Sequence, residues 1–85
     1  MHYVYMLRCS DDTIYTGWTT NLEKRIKTHN DKKGAKYTKS RTPVTLIHYE
    51  IFETKSEALK REARIKKLKR TEKIKLCKEN HSDRE

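Results

Sequence analysis

The chain has few of the residues that mark disulfide-stapled or membrane-spanning proteins. Among its 85 residues are two cysteines, one proline and two glycines. Cys9 and Cys77 are too few for a disulfide framework and lack the spacing of a metal site, so we expect both to be reduced, in a cytoplasmic protein. Because no apolar run is long enough to span a bilayer, we expect no signal peptide and no membrane partner.

Several catalytic signatures are missing as well. The two glycines do not form a phosphate-binding loop, no serine lies in a Gly-x-Ser-x-Gly pattern, and no His/Cys cluster has zinc spacing. These absences set aside P-loop nucleotide-binding proteins, serine hydrolases with a nucleophile elbow, and zinc-finger proteins.

Acidic residues are scarce relative to basic ones. Twelve Asp and Glu stand against 21 Lys and Arg, which leaves a formal net charge of +9. Ten of the basic residues fall between positions 60 and 78, where there are only two acids. Charge of this size on a small domain favours nucleic acid as the partner, bound through its phosphates. A basic protein whose charge serves only solubility is the alternative.

The distribution of β-forming residues predicts a short sheet. Residues 3–9 and 13–18 are rich in such residues and are separated by a Ser-Asp-Asp turn, which is typical of an antiparallel hairpin. Residues 44–52 alternate between apolar and polar side chains and predict a third strand.

Helix-capping patterns predict the remaining elements. Thr20 and Thr54 are each followed three residues later by glutamate, as in a capping box, and Thr71 is expected to cap a last short helix. The predicted fold is an α/β (α+β) sandwich in the order β-β-α-β-α-α, with a three-stranded antiparallel sheet flanked by helices. We expect one domain over residues 1–79 and a polar, disordered tail over residues 80–85.

Glu62 is the most informative single residue. It shares a predicted helix face with the apolar residues Ala58 and Ile65, and a carboxylate there is costly unless it is paired or binds a cation. One interpretation is an ion pair with Lys66, one turn further on. The other is a single carboxylate ligand for Mg²⁺, which keeps most of its water ligands in protein sites.

Arg25 and His29 form a second candidate pair. They lie four positions apart on the first predicted helix, so their side chains point the same way. A guanidinium beside an imidazole suits phosphodiester chemistry, since one neutralises phosphate charge and the other moves a proton. An exposed polar helix face explains the pair equally well. Tyr5 and Tyr15, one on each hairpin strand, read alone as core tyrosines.

Two further groups of residues suit contacts to nucleic acid. The polar segment 32–43 mixes basic residues with a tyrosine, a combination that suits phosphates and stacked bases, although a plain solvated loop fits too. Its candidates are Lys36, Tyr37, Lys39 and Arg41. The basic helix that carries Glu62 adds Arg61, Arg64, Lys66 and Lys67.

Taken in order, the candidate residues resemble the GIY-YIG nuclease superfamily, especially its small stand-alone bacterial members. The resemblance extends over about residues 3–70. The first family motif appears here as Val4-Tyr5-Met6 and the second as Tyr15-Thr16-Gly17. Three single positions match the family's helix arginine, its His-or-Tyr position and its metal-binding glutamate: Arg25, His29 and Glu62.

The resemblance implies an endonuclease that hydrolyses DNA phosphodiester bonds with one Mg²⁺ or Mn²⁺ ion, in repair or recombination. By the same resemblance, Glu62 would hold the metal, Arg25 would bind the phosphate, and Tyr5, with His29 or Tyr15, would activate the attacking water. Arg25 and the metal are expected to lower the pKa of Tyr5.

The resemblance covers a catalytic module alone, so specificity would come from DNA shape, the basic region or a protein partner. Two alternatives stay open. One is a nucleic-acid-binding module that keeps the fold and does not cleave. The other is an adaptor whose basic helices dock an acidic protein.

Overall fold

The computed structural model of the chain describes residues 1–81. A three-stranded antiparallel sheet lies between helices on its two faces, and no helix in this range is both long and apolar enough to cross a membrane. The elements are β1 (His2–Arg8), β2 (Ile14–Thr19), α1 (Leu22–Asn30), α2 (Lys36–Lys39), β3 (Thr45–Phe52), α3 (Lys55–Lys66) and α4 (Arg70–His81). The predicted α+β sandwich is confirmed, with α2 as one additional turn inside the segment expected to be loop.

β1 is the central strand, in the order β2-β1-β3, and it is buried on both sides. Because side chains alternate along a strand, Tyr5 and Leu7 pack with α1 residues, while Val4 and Met6 pack with α3 and α4 residues. Across the hairpin, Tyr5 lies opposite Gly17 of β2. This register decides which groups surround the Tyr5 ring.

The capping residues agree with the sequence in one helix and differ in another. Thr54 caps α3 as predicted, since its Oγ1 accepts from the Glu57 N–H at 3.2 Å and donates to the Glu57 carboxylate at 2.9 Å. The predicted Thr20 cap of α1 is wrong by one residue. The side chain of Asn21 accepts from the Lys24 N–H at 3.2 Å, and asparagine caps helices as well as threonine does or better.

α4 begins at Arg70, so the predicted Thr71 cap is wrong and Thr71 lies inside the helix. The Arg70 guanidinium donates to the Asp12 carbonyl at 2.6 Å and to its carboxylate at 3.1 Å, which joins α4 to the β1–β2 turn. The helix continues into the predicted 80–85 tail, of which residues 82–85 lie outside the described range.

The segment between α1 and β3 is fastened where it starts and where it ends. Asn30 Oδ1 accepts from the Val44 N–H at 2.7 Å, and Asn30 Nδ2 donates to the Val44 carbonyl at 3.2 Å. These two bonds hold the end of α1 against the start of β3. Residues 31–43 therefore form a closed loop, and α2 within it packs beside α1.

Candidate active site

The hydroxyl of Tyr5 is the point where three predicted site residues meet. Its Oη lies 2.8 Å from His29 Nε2 and 3.3 Å from Arg25 Nε. Tyr5 and His29 are both fully buried, so the exposed-face interpretation of His29 is wrong. The contact joins β1 to α1 across 24 positions of sequence.

The close packing around Tyr5 depends on Gly17. A Cβ at this position would lie 2.6 Å from Tyr5 Oη, 2.8 Å from its Cζ and 3.0 Å from Tyr15 Cε2. Only a residue without a side chain lets both rings occupy these places. The second motif therefore needs glycine at this position because two rings approach the backbone closely. The backbone angles of Gly17 are ordinary.

Tyr15 continues the aromatic cluster towards solvent. Its ring meets the His29 ring at an edge with centroids 5.2 Å apart and stacks on the Tyr37 ring at 5.9 Å. Tyr37 is 40% exposed, and the Arg41 guanidinium lies 4.1 Å above its centroid. A column of rings therefore leads from buried Tyr5 to the surface of the α1–β3 segment.

Burial sets the protonation states of the Tyr5–His29 pair. Burial raises the pKa of Tyr5, and the hydrogen bond and charge of Arg25 lower it by less, so the net change is upward. The predicted lowering by Arg25 is therefore outweighed. Burial, followed by the charge of Arg25, lowers the pKa of His29 to about 4. At neutral pH the phenol keeps its proton and the imidazole is uncharged.

Arg25 is the charged member of the cluster. The hydrogen bond to Tyr5 makes the largest contribution to raising the pKa of Arg25. The charge of Tyr15 and a hydrogen bond to Tyr15 raise it by less. It lines a polar cleft of about 410 Å³ together with Lys24 and Thr28. Arg25 thus connects the buried hydroxyl with a solvent-facing cleft.

Glu62 reaches the region from α3, on the other face of the sheet. Its side chain is 15% exposed, and its carboxylate lies 3.4 Å from Lys66 Nζ, so the predicted ion pair is present. After burial, which is the largest contribution, the charge of Glu62 is among the groups that raise the pKa of Tyr5. Glu62 is therefore within electrostatic range of the Tyr5 hydroxyl.

The donor set fits a hard cation held by one protein oxygen. No cluster of three or more His, Cys, Asp or Glu side chains suited to a metal occurs in the part of the chain that the structure describes. Mg²⁺ accepts one or two carboxylates and keeps several waters. Glu62, nearly buried and paired with a half-exposed lysine at 3.4 Å, is a carboxylate of that kind.

The predicted nucleic-acid-binding residues divide between two places. Lys36, Tyr37 and Lys39 lie on α2 and are exposed, and the Tyr37 ring stacks on Tyr15. Arg41 follows them and also pairs with Asp11 at 2.9 Å. The others lie on or after α3: Arg61, Arg64, Lys66 and Lys67.

Arg61 has an internal partner. It donates to both carboxylate oxygens of Glu50, at 2.7 and 3.1 Å, and Glu50 also contacts buried His48 at 2.8 Å. Burial alone would raise the pKa of Glu50, but the hydrogen bonds and charges of His48 and Arg61 lower it to about 2. The network joins β3 to α3, and it explains Arg61 structurally. The network is not evident in the sequence, since nothing local pairs Glu50 with Arg61.

Two residues of the α1–β3 segment also contact His29 and were missed. Thr38 Oγ1 lies 2.7 Å from His29 Nδ1, and a Cβ at Gly34 would lie 2.5 Å from the same nitrogen. Gly34, one of only two glycines, was a signal for close backbone approach. Thr38 carried no such signal.

Comparisons with known proteins find a matching family and proteins of similar sequence. The family model described as the GIY-YIG catalytic domain matches residues 1–75 of the sequence. A UPF0213 protein of Syntrophus aciditrophicus is 60% identical over 80 residues, 93% of this chain and 92% of its own. One from Clostridium perfringens is 59% identical over 76 residues, 89% of this chain and 82% of its own.

A solved structure is similar as well. The solution NMR structure of a protein from E. faecalis has 49% sequence identity and a TM-score of 0.64, covering 94% of this chain and 85% of that one. The fold and the matched motifs define a nuclease-type domain. The chain belongs to the GIY-YIG family, among the small UPF0213 proteins.

Proposed function

We propose that this protein is a metal-dependent endonuclease that hydrolyses DNA phosphodiester bonds, in DNA repair or recombination. The observation that carries the proposal is the Tyr5 hydroxyl, held between the cation of Arg25 and the neutral ring of His29. A phosphate-binding group and a proton acceptor thus meet at one oxygen. Membership of the GIY-YIG family supports the same conclusion.

Arg25 is suited to bind the scissile phosphate. Its Nε donates to Tyr5 and a weaker hydrogen bond goes to Tyr15, and a guanidinium has five N–H donors, so others are left for further partners. The guanidinium is a planar fork that matches two phosphate oxygens. The polar cleft that Arg25 lines with Lys24 gives the DNA backbone access to it.

Proton removal from the attacking water uses the buried pair. The Tyr5 side chain is fully buried with Arg25 bonded to its hydroxyl, so we infer that phosphate binding draws the guanidinium aside and uncovers the oxygen. The water proton then passes to Tyr5 Oη while the phenol proton passes to His29 Nε2. Half-buried Tyr15 offers the second hydroxyl of the cluster. A divalent cation bound at Glu62 would stabilise charge on the leaving oxygen.

DNA would lie along the basic residues near this cluster. Exposed Lys36 and Lys39 are placed for phosphates and Tyr37 for a base, with Arg64 and Lys67 extending the surface on the α3 side. Arg41, partly buried, would exchange its contacts with Asp11 and the Tyr37 ring for a phosphate. A protein partner would supply sequence or structure specificity. The proposal places the protein in the cytoplasm, where both of its free cysteines stay reduced.

A DNA-binding module without cleavage is the second candidate. Two observations favour it: Lys66 already neutralises the carboxylate of Glu62 at 3.4 Å, and the Tyr5 hydroxyl is covered. Both features have to change before the cleavage chemistry can begin.

A cleavage assay separates the two functions. Labelled linear, nicked and branched DNA is incubated with Mg²⁺ or Mn²⁺ and the wild type, Glu62→Gln or Arg25→Ala. We expect each substitution to lower the rate on the order of a hundredfold or more, as when one transition-state contact is removed. Glu53→Gln and Arg8→Ala are matched controls, because both residues are exposed and lie outside the cluster, and they should cut as the wild type does.

The opposite result is equally clear. If the wild type cuts these substrates no faster than Glu62→Gln, the endonuclease proposal fails for them. DNA binding that weakens steeply with salt would then support the second candidate, a DNA-binding module without cleavage. Binding that ignores salt would point to an acidic protein partner.

A further inference from the structure

The second nitrogen of His29 has a partner that fixes where the ring proton lies. His29 Nδ1 is 2.7 Å from Thr38 Oγ1, and Thr38 Oγ1 donates to the Ala35 carbonyl at 3.0 Å. A hydroxyl has one proton, and a carbonyl oxygen only accepts. When that proton goes to Ala35, the Thr38 oxygen accepts from His29 and Nδ1 carries the hydrogen.

The assignment determines the other face of the ring. A neutral imidazole carries one proton, so Nε2 presents its lone pair to Tyr5 Oη at 2.8 Å. Tyr5 donates its proton to that nitrogen and accepts at its oxygen from Arg25 Nε. From Arg25 to Ala35, each donor in the chain has one acceptor and every bond has the same direction.

The α1–β3 segment also holds the ring in place by contact. A Cβ at Gly34 would lie 2.5 Å from His29 Nδ1 and 2.9 Å from both Cε1 and Cγ, so the backbone passes directly against the ring. Thr38 is fully buried, and its hydroxyl is spent on His29 and Ala35. Substrate has no access to Thr38, which acts only through the histidine.

We propose that Thr38 is a positioning residue that fixes the Nδ1–H tautomer of His29 and thereby makes Nε2 the proton acceptor for Tyr5 during cleavage. The inference rests on the proposed function. In the step itself, the water oxygen bonds to phosphorus and the bond from phosphorus to the leaving oxygen breaks. One water proton goes to Tyr5, the Tyr5 proton goes to Nε2, and the leaving oxygen takes a proton from solvent. His29 afterwards returns its proton to solvent.

Two substitutions at one position test the role. Thr38→Val removes the hydroxyl and keeps the branched shape, whereas Thr38→Ser keeps the hydroxyl. Ring ¹⁵N resonances report the tautomer of His29 at neutral pH, and cleavage kinetics report kcat and KM. We expect the Nδ1–H form in wild type and Thr38→Ser, and loss of that preference in Thr38→Val. In Thr38→Val, kcat should fall about 10- to 100-fold with KM unchanged, the range seen when the outer hydrogen-bond partner of a metal-bound histidine is removed.

The outcomes distinguish this inference from the proposed function. An Nε2–H tautomer in the wild type overturns the inference by itself, even if Thr38→Val does not fold. A Thr38→Val protein that keeps the Nδ1–H form and the wild-type kcat overturns it as well. Thr38 would then contribute only to packing. If the wild type cuts no DNA, the proposed function and the catalytic half of the inference fail together. The spectra still decide whether Thr38 sets the tautomer.

Discussion

Mild acid should destabilise the folded protein through His29. The ring is fully buried, and burial together with the charge of Arg25 lowers its pKa to about 4. The groups that face it are Tyr5 from β1, Tyr15 from β2, Arg25 from its own helix and Thr38 from α2. None of them is a carboxylate that would stabilise an imidazolium.

The sign and size of the effect follow from linkage. In the unfolded chain a histidine titrates near its ordinary pKa of about 6.5. Between that value and about 4, the unfolded chain binds a proton that the folded chain does not, so the free energy of unfolding decreases as the pH falls. The contribution is fully present above about pH 6.5, and it should decrease by about 2 kcal/mol between about pH 7.5 and about pH 5.

Urea denaturation at those two pH values measures the effect. The comparison is between wild type and His29→Gln, which lacks the titrating ring and keeps all other ionisable groups. Subtracting the two pH dependences cancels the remaining histidines and carboxylates. We expect the wild type to lose about 2 kcal/mol more than the variant. Equal pH dependences would show that His29 titrates in the folded protein as it does in the unfolded chain, and would refute the lowering of its pKa by burial and by Arg25.

Two substitutions test packing and ion pairing. Gly17→Ala should destabilise the fold by about 1–3 kcal/mol in a denaturation experiment, because the new Cβ would lie 2.6 Å from Tyr5 Oη; unchanged stability would mean that the ring moves freely. Arg61→Ala should cost about 2 kcal/mol at neutral pH, since Glu50 loses two charged hydrogen bonds, while exposed Arg64→Ala on the same helix should cost under about 0.5 kcal/mol. The folded-state pKa of Glu50 is lowered to about 2, so the Arg61→Ala deficit should shrink as the pH falls from about 4.5 towards that value. If the loss of stability in Arg61→Ala stays constant over that pH range, the loss comes from packing of the Arg61 side chain and not from its ion pair with Glu50.

Local patterns predicted the elements better than their ends. The hairpin and the Thr54 cap depend on residues within a few positions of each other, and both were found where predicted. The start of α1 was misplaced because Thr20 and Asn21 are adjacent residues that both favour the capping position, and only the backbone geometry decides between them.

The site was predictable where a family motif marks it and unpredictable where tertiary contacts make it. Tyr5, Arg25 and His29 were named from their order in the chain, and the structure brings them together. The pKa of Tyr5 was expected to fall because the expectation counted the cations near it and left out the larger effect of burying the hydroxyl. The contact between Thr38 and His29 spans nine residues across a turn, and no spacing rule identifies it.

The two hydrogen bonds between the Asn30 side chain and the Val44 backbone bear on the design of chimeras between related proteins. They bring the two ends of the α1–β3 segment together. His29 lies one residue before Asn30, just outside the closed segment. A chimera with a crossover between residues 31 and 34 would join one protein's histidine to another's glycine and hydroxyl, and one between 34 and 38 would separate the histidine from the hydroxyl. Swapping residues 29–44 as a block keeps the ring, its wall and its hydrogen-bond partner from the same parent, and chimeras of that kind should inherit the parent's chemistry intact.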